Sequence, residues 1–540
     1  MSSRRKALGY IAIGVALLQL GMITVYLNMP NASDEGYAID LTATEYQYFT
    51  PSPSPATASD SVPILAPPPP KPNKEEIDKK KKKKKPLHSQ YDLDEAKEEC
   101  FRQQPSPCFF DFKWRPIPQV LIQERKRNPK TNQWLPVKRP YSNHTRKLQL
   151  LYHCHYGHYT TSMDRFFYDE IDAAVTHPGI NVSFYGPGFP GWDKSISTSD
   201  NINTHFQNMH FDIIYSMDHW QSQFPSTAVA VSTIGDCHTP HDCQKSIQSY
   251  DDVVALRYAG EIIDLFRPEQ WEETTELKME EAWQNNNIHE FDYLQNREMP
   301  LFVHNPDCAP EDVFYPSKLN ETQKWHHPRI YPAQLFGSTW GELYPLRDKM
   351  RNGINKKILF NATEFSHPGY NIFVNFTKPK YPVGQYRPKD SNTAHLRAQQ
   401  SMYAKAMRET QICMFDSSRV RKAIRKYHEA FLSGCVVAAD IPLEMEDIFR
   451  DVTIPLRFDM GIEEINDILQ EYLADKERLA WMAREAFYRA RQHWTCRNKV
   501  DRLIESAARL LNGDKGYWFP FGFSAGCRDY PWGNNTMWCQ

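Results

Sequence analysis

The chain has 540 residues, 41% of them hydrophobic and 24% charged. That is too long for one ordinary core and suits two globular domains with additional segments. A formal net charge of −2 gives no global case for nucleic acid, and the 39 prolines, many of them before residue 120, mark an uneven composition.

Arg4, Arg5 and Lys6 precede residues 7–27, ALGYIAIGVALLQLGMITVYL, which carry no charge. About 20 apolar residues span a bilayer, and a basic flank favours the cytosolic side. Residues 1–6 therefore read as a cytosolic tail and 7–27 as a transmembrane signal anchor. The expected location is a Golgi or ER membrane, single-pass type II, with the remainder luminal. A cleaved signal peptide is the rival, but the run is long for one and no small-x-small site closes it. A lumen suits the sequons at Asn31, Asn143, Asn181, Asn320, Asn361, Asn375 and Asn534. It also suits the 11 cysteines. Cys100 and Cys108, Cys237 and Cys243, and Cys527 and Cys539 are close enough in sequence to pair, whereas Cys435 sits in an apolar run and reads as a buried thiol.

Residues 28–115 read as an extended, disordered stalk. PSPSPATASDS and the prolines 67–70 favour polyproline-like conformations. The lysine run 79–85 is a solvated linker or a patch for anionic polysaccharide or lipid headgroups.

Folded sequence begins near Lys147. LQLLYHCHYGH predicts a strand and 162–175 a helix, with Phe166, Phe167, Ile171 and Ala174 at helical spacing. NVSFYGPGF, FDIIYSMDHW, AVAVSTIGDCH, DDVVALRY and LFVHNP predict further strands. Short apolar runs ending in Gly, Asp or His, with helices between, argue for a parallel α/β sheet over 116–325. A second series covers 326–511, with strands at RIYPAQLF, KKILFNAT, QICMFD and GCVVAAD. Its helices are expected at 403–410, 419–432, 462–473, 475–493 and 499–511. The Cys- and aromatic-rich tail, 512–540, gives no assignable element.

Ligands bind at the carboxyl ends of such strands. In the first series Gly157 and His158 open a glycine loop, and Asp236, His238 and His219 are the candidates to take a proton from an acceptor hydroxyl. GDCHTPHDC, residues 235–243, holds His, Cys and Asp, but its spacing matches no standard zinc motif. No metal is expected there. In the second series the helix 419–432 carries Arg421, Lys426 and Glu429. Cations and helix N-termini neutralise a diphosphate, and a carboxylate can accept both hydroxyls of a ribose. The alternative is a solvated helix with a basic face and one glutamate.

HEAFLSGCVVAAD, from His428, resembles the EA-x-x-x-G-x-x-V-x-x-D signature of nucleotide-sugar glycosyltransferases of GT-B fold. The closer likeness is to the group 1 and spore-maturation (CgeB-type) glycosyltransferase-like family. HNPDCAPEDVFYPS from His304, LFGSTWGELYPLR from Leu335 and YAKAMRETQICMFDSS from Tyr403 follow the same order, so the likeness covers about residues 147–510. It implies an α/β chain with two Rossmann-like domains facing across a cleft: an acceptor domain over 116–325 and a donor domain over 326–511. It implies a hexosyltransferase-like glycosyltransferase, metal-independent and retaining. A nucleoside-diphosphate sugar would be its co-substrate and a glycan or glycoprotein its acceptor, with no cofactor and no nucleic acid. By resemblance Glu429 holds the donor ribose. Arg347, Gly337 and Gly341 lie near the diphosphate, with Lys426 and Arg421 as further cations and His367 on a nearby loop. Many relatives carry a second glutamate where this chain has Arg421, which makes a catalytically inactive glycan-binding or scaffold protein the alternative.

Overall fold

The computed structural model describes most of residues 114–518, together with 528–529 and 537–538. It is interrupted at 131–133, 136–145, 156–164, 217–223, 236–246, 248–250, 259–297, 367–390, 419–421 and a few single positions. The anchor 7–27, the stalk and the cysteine pairs proposed at 100/108, 237/243 and 527/539 lie outside the described residues. Among the described residues no helix is long and apolar enough to cross a membrane.

The first series forms β1 (Leu148–His153), β2 (Ile180–Tyr185), β3 (Ile213–Ser216), β4 (Val229–Ile234), β5 (Val253–Leu256) and β6 (Leu301–His304). The strands pair in parallel, with β1 between β2 and β3. β3 to β6 are buried along their whole length. Continuous Val/Ile/Leu runs do this when helices cover both faces of a parallel sheet. Among the described residues the helices within this stretch of chain are α1 (Gln119–Ile122), α2 (Arg165–Thr176) and α3 (Thr198–His205).

The second sheet holds β7 (Tyr331–Leu335), β8 (Ala362–Glu364), β9 (Thr410–Met414), β10 (Val436–Ala439) and β11 (Thr453–Pro455). Its order is β11-β10-β9-β7-β8, again parallel. Side chains alternate between two cores: Cys413, Val437 and Ala439 enter one, and Ile412, Met414, Val436 and Ala438 the other. The helices are α4 (Glu321–His326), α5 (Pro345–Asn355), α6 (Ser391–Arg408), α7 (Arg425–Leu432), α8 (Glu446–Phe449), α9 (Ile462–Ala474), α10 (Lys476–His493) and α11 (Cys496–Asn512).

Four expectations are corrected. The helix placed at 419–432 begins at Arg425, with Ile424 extended before it, so Lys422 to Ile424 are not helical. KKILFNAT is strand only from Ala362, because Lys357 turns with φ 59°. Cys435 is not a thiol: it is bonded to Cys413 on the neighbouring strand. Finally, the boundary at 511 does not follow the packing. Val500, Leu503, Ile504, Ala507 and Ala508 of α11 belong to the first core. β12 (Tyr517–Trp518), beyond the expected boundary, then pairs with β6 and extends the first sheet. β13 (Arg528–Asp529) and β14 (Met537–Trp538) form a separate antiparallel pair.

The chain thus passes from the first sheet to the second and comes back, and both passages are fastened together. Cys308 on the outward passage is bonded to Cys496 at the start of α11, 188 residues later. Ala309 N–H donates to the Trp494 carbonyl at 3.3 Å. Loop-closure entropy makes long-range crosslinks worth about 2–5 kcal/mol. Cys308→Ser should therefore lower the thermal midpoint by several degrees, and reductant should remove most of the difference between the two proteins. Glu311 lies on the same passage, buried, 3.1 Å from Arg497 Nε. Burial raises its pKa from 4.5 to about 7, against the pull of Arg497. An acid with a raised folded pKa holds its proton longer in the native state, so its contribution to stability falls as pH rises from about 4.5 to about 7. Relative to Glu311→Gln, the native chain should gain on the order of 1 kcal/mol between pH 8 and pH 6, read as paired denaturation midpoints.

Candidate active site

Sheet order in the second half is interrupted at β7 and β9, whose crossovers leave on opposite sides. Gly337 follows β7 there, and Asp416 follows β9. Gly337 has φ +102°, and a Cβ on it would sit 2.6 Å from Arg347 Nη1 and 2.6 Å from Lys426 Cε. The turn needs glycine both for its backbone and for this close approach. Three of the expected donor residues, Gly337, Arg347 and Lys426, are therefore neighbours.

Arg347 is almost wholly committed to the protein. Its Nε donates to Asp416 Oδ1 at 2.7 Å, Nη2 to the Asp416 carbonyl at 3.1 Å and Nη1 to the Ser338 carbonyl at 3.0 Å. The guanidinium also lies 3.5 Å from the Tyr344 ring centre. The Leu346 and Arg347 N–H groups, at the start of α5, both donate to Asp416 Oδ2 at 3.1 Å. A carboxylate thus occupies the positive end of α5 and takes up the arginine that was expected on the donor phosphates. Gly341 faces another acid, since a Cβ there would meet the Asp348 carboxyl at 3.2 Å.

Glu429 is 1% exposed on α7. Its Oε1 accepts from Arg425 Nε at 2.9 Å, one helical turn earlier. Its Oε2 is buried and has no hydrogen-bond partner among the described residues. Arg425 Nη2 donates to Asp169 Oδ2, and Gln400 Nε2 of α6 donates to the same oxygen at 2.7 Å. Burial alone would lower the Arg425 pKa, but Asp169 and Glu429 beside it raise it. His428 stacks on Trp494 with ring centres 4.2 Å apart, and burial holds its pKa down to about 3. It is neutral at physiological pH. Ser433 closes α7, and Gly434, φ +69°, turns the chain into β10.

On the first sheet's side, Asp307 receives Arg257 through Nε and Nη2, both at 2.8 Å. Burial would raise its pKa, but Arg257 and Lys499 bring it to about 2. Lys499 of α11 lies 3.2 Å from Glu170. Asp236, His238, His219, Gly157, His158, Arg421 and His367 lie outside the described residues. Among the described residues no group of three or more His, Cys, Asp or Glu is placed to hold a metal ion.

Asp169, Asp416 and Arg425 were not singled out in the sequence. Asp416 had a signal, as the acid closing the strand QICMFD at its carboxyl end. Arg425 had one too, four residues before Glu429 on a helix. Asp169 had none, because its partner lies 256 residues away.

The region around Glu429 has known relatives. Residues 368–505 match a family described as glycosyl transferase-like. The chain thus carries a glycosyltransferase-like domain, and this segment contains α7, Lys426 and Glu429. No curated protein matches the chain. Solved structures similar to it include sucrose-phosphate synthase from Thermosynechococcus elongatus, at 10% identity and TM-score 0.40, covering 68% of this chain and 100% of that one. Anabaena HepE in complex with UDP and glucose is similar at 12% identity and TM-score 0.39, covering 67% of this chain and 99% of that one. Trehalose 6-phosphate synthase from Burkholderia multivorans is similar at 10% identity and TM-score 0.38, covering 68% and 99%.

Proposed function

We propose that the chain is a GT-B glycosyltransferase of the CgeB-type group. It moves a sugar from a nucleoside-diphosphate sugar to a glycan or glycoprotein in the Golgi or ER lumen, behind a type II membrane anchor. The observation that carries the reading is the Glu429 carboxylate, inside the glycosyltransferase-like segment, with a buried oxygen that no group among the described residues fills. A buried acceptor without a donor is costly, and a ribose diol supplies O–H donors of the right kind. Lys426, beside Gly337, supplies positive charge for a departing diphosphate. Neither step needs a metal or cofactor. Asp236, His238 and His219 remain the proposed acceptor-side groups, and Arg421 and His367 the proposed donor-side ones.

One observation favours the alternative of a non-transferring glycan-binding protein: Asp416 fills the start of α5 and takes up Arg347. The deciding experiment offers a panel of nucleotide sugars to the full-length chain and measures nucleoside diphosphate release with and without glycan acceptors. Turnover of one donor supports the transferase. A folded protein that neither binds nor turns over any donor supports the alternative. Protease protection in sealed microsomes tests the luminal placement.

A further inference from the structure

We infer that Asp169 is a positioning residue for the nucleotide ribose, acting through Arg425 on Glu429. The inference rests on the nucleotide-binding reading above. Asp169 lies on α2, against the first sheet, whereas Arg425 and Glu429 lie on α7 of the second. All three are buried, as is Gln400, which also bonds Asp169. Two carboxylates therefore share one buried guanidinium.

The geometry of the sharing gives Asp169 its role. A guanidinium presents Nε and one Nη side by side, a fork that matches both oxygens of a single carboxylate. Here the fork is split. Nε goes to Glu429 Oε1 at 2.9 Å, and Nη2 goes to Asp169 Oδ2. Glu429 consequently receives one bond from this guanidinium rather than two, and among the described residues its Oε2 stays without a donor. Removing Asp169 frees Nη2 to swing onto Glu429 and close a bidentate pair. The oxygen that a ribose hydroxyl needs would then be taken. Asp169 thus keeps Glu429 receptive by occupying the other tine of the fork. Gln400 holds Asp169 in that position with its 2.7 Å bond.

The test is equilibrium binding of UDP, GDP and their 2′-deoxy counterparts to the full-length chain. The native protein should bind one ribonucleotide about tenfold or more tightly than its deoxy form, the effect expected for a hydroxyl donating to a charged acceptor. Asp169→Ala should bring that ratio to within about threefold of one, mainly by weakening the ribonucleotide, which a general loss of packing would not do selectively. If Asp169→Ala does not fold, Asp169→Leu keeps a similar branched shape with no acceptor oxygen, and should reduce the ratio at least about threefold. An unchanged ratio in the folded variant overturns the inference and leaves the nucleotide site standing. A native protein that binds nucleotide with no preference for the ribose form also overturns it. A native protein that binds neither nucleotide removes the underlying reading as well.

Discussion

Glu429→Gln should lower kcat/KM for the donor about 100-fold while leaving the thermal midpoint unchanged or slightly raised. The two halves of this result have one cause. Glutamine can still accept from Arg425 through its oxygen, but its NH₂ then stands where Oε2 was and cannot accept a ribose hydroxyl. Two O–H bonds to a charged acceptor, at about 1.5–3 kcal/mol each, are more than enough for the loss. Stability moves the other way because the native arrangement is unfavourable at rest. Asp169 and Glu429 both lean on the Arg425 guanidinium, and among the described residues one Glu429 oxygen lacks a donor. Neutralising Glu429 relieves that. Groups held for binding at the expense of folding show this opposition, and groups held for packing do not. Nucleoside diphosphate release and differential scanning calorimetry on the same preparations check both halves.

Asp416→Ala should have the opposite profile, with a loss of about 3–5 kcal/mol of stability. The substitution leaves the Arg347 guanidinium buried without its counter-ion and strips the acceptor from the Leu346 and Arg347 N–H groups. A charge stranded in this way costs far more than the intact pair contributes. Arg347→Met added to Asp416→Ala should therefore recover part of the loss, because it removes the stranded charge. The denaturant midpoints of the two single variants and the double variant decide it. If Asp416→Ala alone were as stable as the native chain, water or a mobile counter-ion would have to be reaching Arg347.

Most strands were legible in the sequence for a simple reason. In a parallel sheet covered on both faces, every position is apolar, and the run ends where the chain meets a polar loop. LQLLYH, FDIIYS, AVAVSTI and GCVVAAD announce themselves in this way. The start of α7 was less legible, since Arg421, Lys422 and Arg425 continue a helical composition through a stretch where Lys422 to Ile424 are not helical. Propensity does not register a break imposed by the hydrogen bond from Ala423 N–H to Glu444. The candidate residues divided along the same line. Glu429 and Lys426 stood out because they lie in a recognisable local pattern, and Gly337 because a glycine after a strand marks a tight turn. The roles of Arg347 and Asp169 depend on partners 69 and 256 residues distant, which no local pattern encodes. The disulfides show the same limit: nearness in sequence suggested pairs, while Cys308 found its partner across the whole second sheet.

The return of α11 and β12 to the first sheet also bears on how the protein is made. During synthesis the first six strands leave the ribosome long before the helix that completes their core. That nascent sheet must wait, with apolar surface uncovered, until the entire second half has emerged. Early sealing is impossible, so domain-by-domain maturation from the N-terminus gives way to a joint final step. Cys308 must likewise stay available, or be released from a wrong partner, until Cys496 arrives. A premature stop just before α11 would spare every strand of the second sheet and yet unmake the first.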